Sequence, residues 1–226
     1  MNTFSKVLLA SVTAIALGLW LSWLTADKTP PPSDLPWQIE ATAKGSIKVF
    51  QTQIGTTTLG EFIQRYREHP EITLFVPPQG NSVIEAYFDS LILAGLKAKV
   101  VLLLDVDKAT RDAMYERGIR ISTMGSGTRK VELSSDDIQQ LNAVVISGIT
   151  YIPATNVTTE LLLKRFGEPT HKLKDDNTGA VHWVYTEKGL DVALNDNDKE
   201  VFQYVHPKDM ARLLEPLMQQ KQLSKP

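Results

Sequence analysis

Histidine is the first residue to weigh for chemistry here, because a neutral imidazole is both a metal ligand and a general base near physiological pH. The chain has four: His69, His171, His182 and His206. Two of them lie in "THKLKDDNTGAVHWVYT". A hairpin centred between Asp176 and Asn177 sets His171 directly opposite His182 on one face, where cross-strand partners lie about 5 Å apart. Two imidazoles at that distance are half of a zinc site, which takes three or four protein ligands, and the spacing indicates no third. The expectation is a polar outer face, with Val181, Trp183 and Tyr185 turned towards the core and no metal bound.

The other chemistry-bearing stretches read the same way. "MGSGTRK" from Met124 has the glycines, hydroxyls and cations of an anion nest, but strand-like runs flank it, whereas a phosphate loop leads into a helix N-terminus. A hairpin turn is expected. "NDNDKE" at 195–200 has calcium-loop residues without the glycine at the sixth position or the distant glutamate of an EF-hand, so it reads as an acidic turn. No nucleophile elbow, His-Glu-x-x-His or Walker loop is present. Trp183, Tyr185, Phe202 and Tyr204 alternate with other residues as strands require and are expected in the core. No catalytic, cofactor-binding or metal-ligating residue is assigned, and no cofactor is called for.

Bulk properties narrow the classes further. A net charge of −2 gives no basic footprint for displacing phosphate counterions, so nucleic acid is not an expected partner. With no cysteine there are no disulfides, thiolate sites or cysteine nucleophiles, and no leading cysteine to carry lipid.

The elements that must position any site begin at the N-terminus. "VLLASVTAIALGLWLSWLTA", residues 7–26, carries no charge before Asp27. A helix of about 20 residues matches the roughly 30 Å hydrocarbon layer. A retained anchor is expected over residues 1–26; a cleaved signal is the alternative, against which Leu24 occupies a position that wants a small residue. Trp20 and Trp23 mark the distal interface, and Lys6 places the body outside the membrane. "DKTPPPSDLP" (27–36) follows as an extended spacer, because proline triplets form neither helix nor interior strand.

Two stretches one hundred positions apart then echo each other: "TLGEFIQRYREHPEITL" from Thr58 and "TTELLLKRFGEPTHKL" from Thr158. In the first unit (37–118), "SIKVFQTQI" alternates as a strand. Thr58 and Glu61 form a capping box, and Leu59, Phe62, Ile63 and Tyr66 make an apolar stripe up to Pro70. "ITLFV", "SVIEAYF" and "GLKAKVVLLLDV" read as strands, and a short helix from Thr110 to Arg117 stops at Gly118 in a left-handed cap. The connector (119–147) holds "IRIST" and "KVEL" around the glycine turn, then a capped helix from Ser135 to Asn142. In the second unit (148–226), "AVVISGITYI" leads in as a strand. A helix from Thr158 sets Leu162, Leu163 and Phe166 where Phe62, Ile63 and Tyr66 stood, and Pro169 ends it. "THKL", "AVHWVYT", "GLDVAL" and "EVFQYV" follow as strands, and Gly189-Leu190 repeats Gly95-Leu96. A C-terminal amphipathic helix starts at Pro207, presents Leu213, Leu214, Leu217 and Met218 on one side, and should kink or divide at Pro216.

The second unit resembles the SmpA/OmlA and beta-lactamase-inhibitor-protein type of bacterial envelope module, in which a helix ending in Gly-x-Pro precedes an antiparallel sheet with a Trp-Tyr strand. The matching residues are Phe166, Gly167, Glu168 and Pro169, then Trp183 and Tyr185. Residues 148–206 carry the likeness clearly and 46–107 loosely. It implies a protein-binding or assembly role in the envelope, with no catalytic residues to carry over. The chain departs from that type in having an apolar span in place of a lipid-bearing cysteine.

The fold expected is α+β: two similar helix-on-antiparallel-sheet units behind an N-terminal transmembrane helix. The function expected is a non-enzymatic envelope protein that binds or scaffolds a protein partner. It would be held single-pass in the inner membrane with its body in the periplasm. An envelope hydrolase, or a small-ligand or lipid carrier with an apolar cavity between the units, is the alternative.

Overall fold

The computed structural model describes residues 35–78, 81–195 and 198–223. The apolar span expected at 1–26, and the spacer up to Asp34, lie outside the described residues. Among those described, no helix is long and apolar enough to cross a membrane.

The first described strands correct the sequence reading. "SIKVFQTQI" was expected as one strand, but Phe50 and Gln51 both adopt left-handed φ, 50° and 53°. That is a two-residue type I′ turn, and it folds the stretch into strands β2 (Ile47–Val49) and β3 (Thr52–Gln53) beside β1 (Glu40–Ala41). A non-glycine residue enters that region at a cost of about 1–2 kcal/mol, and tertiary contacts hold Phe50 there. Its ring packs 5.1 Å from Tyr151 and 5.6 Å from Tyr204, and its carbonyl accepts from the Tyr66 hydroxyl at 2.7 Å.

The remaining ten strands form one sheet. In chain order they are β4 (Glu71–Val76), β5 (Val83–Leu93), β6 (Leu96–Leu104), β7 (Arg120–Thr123), β8 (Arg129–Glu132), β9 (Ile146–Pro153), β10 (His171–Lys174), β11 (Val181–Tyr185), β12 (Leu190–Leu194) and β13 (Val201–Val205). In space the order is β10-β11-β12-β13-β9-β6-β5-β4-β8-β7, every neighbouring pair antiparallel. The long β6–β9 ladder, from Ala98↔Pro153 to Leu104↔Ile146, joins the strands that follow the Thr58 helix to those that follow the Thr158 helix. The protein is therefore α+β with one large antiparallel sheet, and the described residues fall within one unit, Ser33–Pro226.

Five α-helices accompany the sheet: α1 (Leu59–Tyr66), α2 (Lys108–Glu116), α3 (Ser135–Leu141), α4 (Thr159–Phe166) and α5 (Met210–Leu223). The capping box at α1 forms as the sequence requires, Thr58 and Glu61 each satisfying the other's backbone amide. Helix α1 ends at a left-handed Arg67, three residues before Pro70. Helix α2 starts earlier than expected, because the Asp107 carboxylate takes the Thr110 amide as N-cap. Gly118 is not the left-handed cap; glycine is needed there because a Cβ would lie 2.4 Å from Val131 Cγ1. Helix α5 follows a 3₁₀ turn, Pro207–Asp209, and runs through Pro216 as one helix instead of dividing.

The buried faces of α1 to α4 share one core. Phe62 of α1 is 1% exposed and packs 5.3 Å from Phe88, while Phe166 of α4 is 8% exposed and packs 5.5 Å from Tyr185. Met114 of α2 and Leu141 of α3 join the same cluster. Both amphipathic segments thus shield sheet strands, as the echo in the sequence predicts.

Candidate functional site

The histidine pair does not form as expected. The hairpin register is Leu173↔His182 and His171↔Val184, two residues away from the pairing in which the histidines oppose one another. The turn residues Asp175 to Gly179 set this offset, with Asp175 accepting from Asn177 and Thr178 and a left-handed Gly179 closing onto Asp175. His171 is left exposed.

His182 turns instead to a residue that sequence reasoning passed over. Its Nδ1 lies 2.7 Å from Oδ2 of Asp191, which is 1% exposed, while Asp191 Oδ1 is buried with no hydrogen-bond partner. The hydrogen bond to Asp191 raises the His182 pKa from its ordinary value, against the opposing effect of burial. The signal was present: once β11 and β12 pair antiparallel, Val184↔Asp191 and His182↔Ala193 put histidine and aspartate on one face as diagonal neighbours. This pair has the base and the orienting carboxylate of a hydrolytic triad, yet His182 hydrogen-bonds no hydroxyl among the described residues.

The other motifs take structural roles. "MGSGT" is the β7–β8 turn, closed by Met124 N–H to Thr128 O at 2.9 Å and a left-handed Gly127. Part of "NDNDKE", residues 196–197, lies outside the described residues. Among those described, no group of three or more acidic or histidine side chains is placed to hold a metal ion. Trp183, Tyr185, Phe202 and Tyr204 are all buried, as the strand alternation predicted.

What remains as a working surface is a face of the sheet. Ten strands at about 4.8 Å spacing span roughly 40 Å, and a helix with side chains is about 10 Å across, so four helices suffice for one face. Helices α1 to α4, together with the small β1–β3 sheet whose Phe50 packs on Tyr151 and Tyr204, supply that cover. On the other face α5 is the one helix that packs among the described residues, with Met210 and Leu214 burying Val184 and Leu173 and Val205 alongside. Among the described residues, the middle strands β9, β6, β5 and β4 have no helix packed on them in that layer, so Thr150, Ile152, Val101, Leu103, Glu85, Tyr87 and Phe75 stay partly accessible.

The chemistry of this open face is graded. Apolar and aromatic side chains share its middle with Glu85 and Thr150, Tyr87 standing opposite Val101 and Glu85 opposite Leu103. Partial burial raises the Glu85 carboxyl above the usual carboxylate range. Charge flanks this middle: at the irregularity in β5, Asp89 accepts from the Tyr87 hydroxyl at 2.7 Å and lies 3.4 Å from Lys99, and on β8 and β4 Lys130 lies 2.6 Å from Glu71. The Tyr87 hydrogen bond, then Lys99, holds the Asp89 carboxyl below its ordinary value. Exposed ion pairs of this kind add little stability, typically below about 1 kcal/mol, and cost little to rearrange.

No family model, curated protein or solved structure matches the chain. Its function is therefore argued from the geometry above.

Proposed function

We propose that this chain is a membrane-tethered envelope protein that binds a protein partner on the open face of its ten-stranded sheet. The observation that carries the reading is the one-sided cover: four helices shield one face, while the middle of the other presents apolar and aromatic side chains inside a charged margin. Protein interfaces share that anatomy, a desolvated apolar centre with a polar rim. The apolar segment at 7–26 supports an anchor in the inner membrane, with the body in the periplasm and the proline spacer holding it off the bilayer. A tether of this kind raises the local concentration of a module near its membrane neighbours. The two helix-then-meander sets, α1 with β4 to β6 and α4 with β10 to β13, support one structural unit built twice, and the likeness of 148–206 to the SmpA/OmlA and beta-lactamase-inhibitor type supports an assembly role. This reading is favoured over a hydrolase because the His182–Asp191 pair has no bonded nucleophile among the described residues.

The test is site-specific photocrosslinking in the full-length, membrane-inserted chain. A benzophenone side chain at Tyr87 should give a discrete adduct that Val101→Asp reduces at least fivefold, while the same group at Leu163, on the opposite side of the sheet, should give none. Equal labelling from both faces, or none from either, overturns the proposal.

A further inference from the structure

A second feature lies beneath α4, away from the open face. Native interiors are close-packed, and voids larger than a water molecule are few, yet an apolar cavity of about 140 Å³ is left between α4, the ends of β6 and β9, and Pro36-Trp37. Its walls are Trp37, Tyr151, Phe166 and Phe202 with Leu96 and Leu162. Cavities of about 150 Å³ lined in this way stay dry and accept a molecule the size of benzene. Thr155, Asn156 and Arg165 are the exposed members of the lining and mark the mouth.

The mouth is cationic. The Arg165 guanidinium sits 4.3 Å over the Trp37 ring and makes no ion pair among the described residues. Lys199 reaches the same loop, donating to the Ala154 carbonyl at 2.9 Å and to Asn156 Oδ1. No carboxylate lines the cavity. A few polar groups at the rim of an apolar pocket fix the orientation of a bound molecule, and a guanidinium is well matched to a carboxylate.

We infer that this cavity is a binding site for a small carboxylic acid with an apolar body of a single ring or a short alkyl chain, its carboxylate meeting Arg165 at the mouth. The site is separate from the open sheet face and stands or falls independently of it.

The probes are sodium phenylacetate and its neutral counterpart benzyl alcohol, titrated into the full-length protein in detergent and followed by calorimetry and by amide NMR shifts. Phenylacetate should bind saturably, with shifts concentrated around Trp37, residues 153–157 and α4. Arg165→Gln should weaken phenylacetate at least fivefold and leave benzyl alcohol within twofold. Leu161→Trp, which fills the cavity from its half-buried wall, should abolish binding of both, whereas Leu163→Trp on the exposed side of α4 should bind normally. Circular dichroism on each variant separates lost binding from lost fold. If Leu161→Trp unfolds, wild-type shifts that fail to cluster at the cavity decide against the site. Absence of saturable binding overturns the inference, as does equal loss of both probes in Arg165→Gln.

Discussion

Two glycines that read identically in sequence, Gly95 and Gly189, each precede a leucine at the head of a strand, and both have positive φ, 82° and 56°. Their surroundings differ. A Cβ on Gly95 meets nothing within 4 Å, while one on Gly189 would lie 2.1 Å from the Val205 carbonyl oxygen. Gly95→Ala is expected to cost about 1–2 kcal/mol, the penalty of a left-handed alanine. Gly189→Ala should cost about 3–5 kcal/mol, because the backbone of β13 must also move. Urea unfolding of both variants checks the ranking, and equal losses would show that the clash is relieved elsewhere.

At the same scale the buried His182–Asp191 pair predicts a pH dependence. The folded-state pKa of His182 lies above its unfolded value of about 6.5. Its contribution to stability is therefore complete below the unfolded pKa and is lost as pH rises through the folded pKa. Wild-type stability should fall across that window, and Asp191→Asn should remove this component and return the His182 titration towards its ordinary value. NMR titration of the imidazole, together with urea midpoints taken across the same pH range, measures both. Midpoints that change identically with pH in the two proteins would show that the pair does not govern it.

At the scale of elements, the two echoed helices are not capped equally. Thr58 forms a reciprocal box with Glu61, whereas Thr158 accepts from Leu161 N–H at 3.3 Å and a leucine at the third position returns nothing. Thr58→Ala should cost about 1–2 kcal/mol and Thr158→Ala about 0.5–1 kcal/mol in chemical denaturation. Arg67 ends α1 at φ 56° and ψ 31°, a conformation glycine enters freely. Arg67→Gly should therefore be neutral or stabilising by up to about 1 kcal/mol, and a clear loss would mean that its side chain contributes more than its backbone costs. Helix α4 is followed by Gly167-Glu168-Pro169, and the Tyr185 hydroxyl donates to the Gly167 carbonyl at 3.1 Å. This bond satisfies a carbonyl beyond the helix end.

For the whole molecule, the β6–β9 ladder makes the two halves one mechanical unit. Phe62→Ala, which empties a buried ring site in the first half, should lower stability by about 3–5 kcal/mol. Hydrogen exchange of residues 59–66 and 159–166 should accelerate together in that variant. Faster exchange confined to the first segment would show that the halves unfold separately despite their shared sheet.

Among the described residues, periodicity, caps and turn residues were enough to place the five helices, nearly all the strands and the aromatic core, because these follow from local sterics and from the alternation of side chains. The two echoed Thr-led helices are where that local code is strongest, and both bury the phenylalanine that the sequence nominated. Three things depended on contacts between residues far apart in the chain. A packed Phe50 ring holds a left-handed turn that its local pattern opposes. One loop's hydrogen bonds move the β10–β11 register by two residues, dissolving a histidine pair and leaving His182 to Asp191. Finally, the partnership of β6 with β9 fuses two meanders into a sheet too wide for a single α5 to cover, and no residue's own propensity records which face is left open.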